Sequence, residues 1–154
     1  MQTKVLAAVR RPAAVGLAVG VALTGAFFLG QAQAQDEFRL DTPTLIYVQI
    51  KPDKTADYEA VIGKLKDALR TTDKPELKQA AMGWRIFKSD APANGSTLYI
   101  HFIDPPAPAA NYTVMKILYD AFPAESTTIY NQYRDAFVGQ SAVKLSLVAN
   151  LGQM

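Results

Sequence analysis

Four short runs of β-branched, aromatic and aliphatic residues, set in a fixed order among stretches of helical periodicity, constrain the fold of this chain more than any other feature. Residues 45–50 (LIYVQI), 84–88 (WRIFK), 98–103 (LYIHFI) and 143–148 (VKLSLV) have the composition and length of strands. After the first, Pro52-Asp53-Lys54-Thr55 turns the chain. Tyr58, Val61, Ile62, Leu65 and Leu69 then recur at helical spacing, with Thr55 or Asp53 available as a cap. Asp73-Lys-Pro-Glu76 has capping-box spacing with an early proline, so a second, short helix is expected to about Met82. Asn94-Gly95 between the second and third strands is a hairpin turn signal, and Asp104-Pro-Pro-Ala-Pro108 cannot continue a ladder. Val114, Ile117, Leu118 and Ala121 give a third helical stretch, broken at Phe122-Pro123. Ile129, Tyr130, Tyr133 and Phe137 give a fourth, which Gly139 is expected to end before the last strand.

The order is β-α-β-β-α-β with both helical segments supplemented, which is the split βαβ, ferredoxin-like arrangement. It predicts an α+β domain over residues 44–154, preceded by a flexible lead-in over 35–43. The first and third strands should be central in a four-stranded antiparallel sheet, with helices on one face. Strand alternation sorts the side chains onto two faces. Ile46, Val48, Ile50, Trp84, Ile86, Leu98, Ile100, Phe102, Val143, Leu145 and Leu147 form an apolar set expected to meet the helices. Tyr47, Gln49, Lys51, Arg85, Phe87, Tyr99, His101, Ile103, Lys144, Ser146 and Val148 are expected on the open face.

Residues 1–34 read as an export signal. Lys4, Arg10 and Arg11 form a basic leader, residues 13–29 carry no charge, and Ala32-Gln33-Ala34 places small residues at −3 and −1 before Gln35. The apolar run is 17 residues and holds three glycines, short of the ~20 apolar residues of a spanning helix. Cleavage between Ala34 and Gln35 is therefore expected, giving a soluble periplasmic or secreted protein. The leader holds three of the 16 Lys and Arg residues and none of the 14 Asp and Glu, so the precursor's formal +2 becomes −1 in the mature 120 residues. Interspersed charge of that balance argues against nucleic acid and against an anionic membrane surface. With no cysteine, disulfides, thiolate metal sites and cysteine nucleophiles are excluded, and packing alone holds the domain.

Tyr47-Val-Gln-Ile-Lys-Pro-Asp-Lys-Thr-Ala-Asp-Tyr-Glu59, followed by Gly83-Trp84-Arg85 on the second strand, resembles members of the dimeric α/β-barrel superfamily, among them antibiotic-biosynthesis-monooxygenase-like and stress-responsive barrel domains. The likeness covers most of residues 44–148 and is one of architecture and loose pattern. It implies a ferredoxin-like subunit that pairs with a second copy through its open sheet face. The superfamily includes monooxygenases, haem-degrading enzymes, cyclases, chlorite-dismutase-like haem proteins and domains without known activity. None of their catalytic motifs is matched, so no functional residue carries over.

The expected open face is where chemistry can sit. On a functional reading it lines a small-molecule pocket: His101, whose ordinary pKa suits proton transfer, with Tyr47, Gln49, Arg85, Tyr99 and Lys144 as binding groups. On the structural reading the same residues form a half-polar homodimer interface, where Tyr and Arg are enriched. A lone histidine has no identifiable orienting carboxylate, so a non-enzymatic binding or interaction protein is the leading expectation. The alternative is a cofactor-independent monooxygenase-like or cyclase-like enzyme using His101 with Tyr99, Tyr47 or Arg85. No cofactor and no metal is expected, since His101 would have to ligate nearly alone. Tyr47 and Tyr99 also match the aromatic placement of RNA-recognition sheets, which the charge balance opposes. Asn94-Gly-Ser96 and Asn111-Tyr-Thr113 match the glycosylation sequon.

Overall fold

The structure is a computed structural model that describes residues 37–152. The leader and its cleavage point lie outside the described residues. The chain runs β1 (Thr44–Ile50), α1 (Thr55–Thr71), α2 (Pro75–Gly83), β2 (Trp84–Lys88), β3 (Thr97–Ile103), α3 (Val114–Ala121), α4 (Ser126–Ala136) and β4 (Phe137–Lys144), with 3-10 turns at Pro52–Lys54 and Pro123–Glu125. The four strands form one antiparallel sheet in the order β2-β3-β1-β4, so β1 and β3 are central. Asn94 and Gly95 both take positive φ, 52° and 77°, in the turn that closes the β2–β3 hairpin, as an Asn-Gly pair favours.

One face of the sheet carries the core. Ile46, Val48 and Ile50 of β1 are buried against Tyr58, Val61, Leu65 and Ala68 of α1, with Leu118 of α3 and Ile129 of α4 in the same cluster. Apolar positions at i, i+3 and i+7 give α1 the stripe that α3 and α4 pack beside. Among the described residues no helix is long and apolar enough to cross a membrane.

Several local expectations are corrected. Neither Asp53, Thr55 nor Asp73 caps a helix through its side chain; a 3-10 turn feeds α1, and the Thr72 hydroxyl accepts from the Lys74 N–H before α2. Residues 37–43 do not stand free: Leu40 is buried at 3% exposure, Phe38 packs on the core, and the Phe38 carbonyl accepts from Tyr112 N–H at 2.8 Å. The last strand starts six residues earlier than its composition suggests, directly after α4. Phe137 has extended backbone (φ −72°, ψ 135°), yet its ring still stacks on Tyr133 at 5.7 Å. The helical i, i+4 spacing is thus satisfied across a helix–strand junction, and Gly139 lies within β4 instead of ending a helix. Where β4 meets β1 the register slips between Gln49 and Ile50, as a bulge allows.

Candidate functional site

The register of β3 on β1 decides which side chains share a face. Ile46 lies opposite His101, Val48 opposite Tyr99 and Thr44 opposite Ile103. His101, Tyr99 and Ile103 therefore belong to the helix-covered face, and Leu98, Ile100 and Phe102 to the open one, the reverse of the sequence expectation. β3 is apolar on both sides, so alternation alone gives its period without its phase. Lys144 and Val143 are exchanged likewise: Lys144 lies opposite Thr44, and Val143 opposite Leu45 on the open face. The Lys144 ammonium reaches Asp41 at 3.1 Å at the sheet margin. Tyr47, Gln49 and Arg85 do lie on the open face. The six expected binding residues are thus split three and three between opposite faces.

His101, 3% exposed, sits inside the core. Its Nε2 is 2.8 Å from the Tyr58 hydroxyl, and Trp84 Nε1 donates to its Nδ1 at 3.2 Å. An indole N–H can only donate, so Nδ1 must be bare and Nε2 carries the hydrogen, given to Tyr58. Trp84 also meets Tyr112 edge-on at 5.3 Å, which closes the cluster. Burial lowers the His101 pKa to about 4 and holds the Tyr58 phenol well above its ordinary value. The imidazole is neutral, both nitrogens are engaged, and neither faces solvent.

Tyr99 is also buried, but its hydroxyl emerges at the sheet edge, where it donates to Glu59 Oε1 at 2.6 Å; Lys88 Nζ donates to the same oxygen at 2.8 Å. The Lys88 and Tyr99 hydrogen bonds hold the Glu59 carboxyl below its usual range, and burial plus the Glu59 bond push the Tyr99 phenol up to about 12. This group was not legible in the sequence, because Glu59 and Tyr99 are 40 positions apart and meet only in this register. It edges a depression of about 180 Å³ with Ile62, Ile86 and Phe87. A second depression, of about 140 Å³, lies among Arg39, Lys74, Lys116 and Asp120. Both fall short of the roughly 300 Å³ at which ligand pockets begin. Among the described residues no group of three or more His, Asp or Glu side chains could hold a metal ion.

The helix-free face carries a row of apolar side chains from β1 and β3. Leu45, Tyr47, Leu98, Ile100 and Phe102 fill its centre half-buried, while Phe87 and Val143 stand exposed at its sides, 52% and 47%. Its polar members are few. The Arg85 guanidinium sits over the Phe102 ring, 4.8 Å from its centroid, and its Nη2 donates to the Asp104 backbone carbonyl at 3.3 Å, so its charge is met by a ring and a carbonyl and not by a carboxylate. Of the two sequons, Asn94 is exposed at the hairpin tip, whereas the Asn111 amide nitrogen is buried. Compared with family models, with curated proteins and with solved structures, the sequence matches none of them.

Proposed function

We propose that this chain acts, after export, as a non-enzymatic interaction protein of ferredoxin-like build that pairs with a second copy through its open sheet face to form a dimeric α/β barrel. The observation that carries this reading is the contiguous apolar centre of that face, Leu45, Tyr47, Leu98, Ile100 and Phe102, with no covering element among the described residues. Exposed contiguous apolar patches of this extent mark interaction sites on soluble proteins. A polar solvent-facing sheet would instead alternate cleanly. Where two such faces meet, Tyr47, Gln49 and Arg85 are the polar groups available to a small molecule held between them. The enzymatic alternative needs a His101 nitrogen that reaches a substrate, and both nitrogens are bonded inside the core.

Native mass spectrometry on protein beginning at Gln35 tests the pairing. The expected result is a two-chain mass that Ile100→Lys converts to one chain with an unchanged circular dichroism spectrum, because Ile100 is central on the open face and outside the core cluster. A single-chain mass for the unsubstituted protein at tens of micromolar would refute it.

A further inference from the structure

β4 ends at Lys144, but the chain keeps its course beside β1 one step further. Leu145 N–H donates to the Pro43 carbonyl at 2.7 Å, one step beyond the last β1 pair. Past it, residues 146–150 have no backbone hydrogen bond among the described residues. Their side chains are not those of a solvated tail: Leu147 is 82% exposed, Val148 97% and Leu151 87%. From Gln140 to Ala149 the sequence contains no glycine or proline, so neither residue reverses that stretch onto its own sheet; the chain turns only at Leu151–Gly152, where the Gly152 N–H donates to Asn150 Oδ1 at 3.1 Å. It has strand composition and, among the described residues, no strand partner.

Alternation sets its direction. Val143 lies on the open face opposite Leu45, so in an extended chain Leu145 and Leu147 point to that same side. Two open faces stacked about 10 Å apart would have these leucines aimed at the facing subunit. The dimensions agree. Five residues at about 3.3 Å each reach about 16 Å, and the three intervals between four strands about 4.8 Å apart span about 14 Å. The face itself covers roughly 450 Å² in projection by the same spacings, below the ~800 Å² that each partner brings to a standard interface. The overhanging segment supplies apolar area toward that difference.

We infer that residues 145–149 of one copy cross onto the second copy as a strand along the rim of its open face, burying Leu147 there and bringing Leu151, in the turn behind it, onto the same rim, with the exchange reciprocal about a two-fold axis. This rests on the pairing proposed above and adds the segment that locks it. A second copy is the occupant because both halves of the contact, the overhang and the face it extends, belong to one chain and point to one side. A reciprocal exchange then closes the assembly at two copies.

The test uses protein from Gln35 and the double substitution Leu147→Ser/Leu151→Ser, read by analytical ultracentrifugation over a dilution series. Neither side chain has much contact to lose within one copy, so the spectrum of the folded chain should not change. Each pair buries two such segments, so the dimer dissociation constant should rise at least about 100-fold, from the transfer of buried leucines to water. Hydrogen exchange at residues 146–150 should slow as concentration carries the unsubstituted protein into the dimer. A dimer with an unchanged constant and fast exchange at 146–150 would overturn this inference and leave the face pairing intact. An unsubstituted protein that stays monomeric throughout would overturn both.

Discussion

Acidification should destabilise this protein through His101 before its carboxylates are protonated. In the folded chain the ring is neutral, with the indole N–H of Trp84 pointing at bare Nδ1 and the Nε2 hydrogen on Tyr58. A proton added at Nδ1 would confront the Trp84 donor and introduce a charge 3% exposed to water. The folded pKa is about 4 against the ordinary 6.5. Above pH 6.5 neither state holds the proton and the group costs nothing. Between 6.5 and 4 the unfolded chain takes up a proton that the folded chain refuses, so stability falls with pH at up to about 1.4 kcal/mol per pH unit. Below 4 both states are protonated and the loss is complete, at about 3 kcal/mol by the relation of about 1.36 kcal/mol per pKa unit. That is a large part of the ~5–15 kcal/mol stability of a domain. Urea denaturation at fixed protein concentration, from pH 7.5 to 4, compares the unsubstituted chain with His101→Gln, which cannot gain charge. Carboxylates contribute alike to both, so the difference isolates the imidazole. The unsubstituted chain should lose about 3 kcal/mol more than the variant, mostly between pH 6.5 and 4.5. Parallel profiles would refute the buried neutral assignment.

Three further substitutions probe the same structure. Tyr58→Phe leaves the His101 Nε2 hydrogen without its acceptor in the core, and should cost about 1–3 kcal/mol in urea denaturation. Gly83→Ala places a methyl group onto the Pro105 carbonyl oxygen, where the chain passes too close for any side chain; it should destabilise by at least about 1–3 kcal/mol. Gly63→Ala, in the middle of α1 with open space around it, should instead stabilise by about 0.5–1 kcal/mol. Equal effects at the two glycines, read as thermal midpoints, would contradict the close approach of α2 to the Asp104–Pro105 segment.

The order of elements was legible because each is long and periodic. Tyr58, Val61 and Leu65 all fall in the core as their spacing demands, and Asn94-Gly95 closes its hairpin by the one backbone geometry that pair favours. Boundaries and phases were less legible. The end of α4 was hidden because Tyr133 and Phe137 pack as helical neighbours although a strand begins at Phe137. The capping box at Asp73 is not formed because α2 begins at Pro75 with Lys74 in the cap position, one residue later than the box requires. The expected site residues divide between the two faces: Tyr47, Gln49 and Arg85 stay on the open one, Lys144 follows the phase of β4, and His101 and Tyr99 are polar residues that the core accepts, given Tyr58, Trp84 and Glu59 as partners. Those partners lie 43, 17 and 40 positions away, distances that no local pattern encodes.

The ambiguity of β3 is informative in itself. A sheet with one face in water shows clean alternation, and strands apolar on both sides belong to sheets covered twice. In β3 the open side holds Leu98, Ile100 and Phe102, while the helix side holds Tyr99, His101 and Ile103, so the more polar set is the one inside. β1 adds Leu45 and Tyr47 to the open side, and β4 adds Val143 opposite Leu45. Leaving that face to water would forgo burial worth about 25 cal/mol for each Å² of apolar surface on the two strands that organise the fold. The same residues that defeat the choice of phase in the sequence are those a second cover would bury. That is the physical ground for seeking function in what lies against the open face, and not at the histidine within.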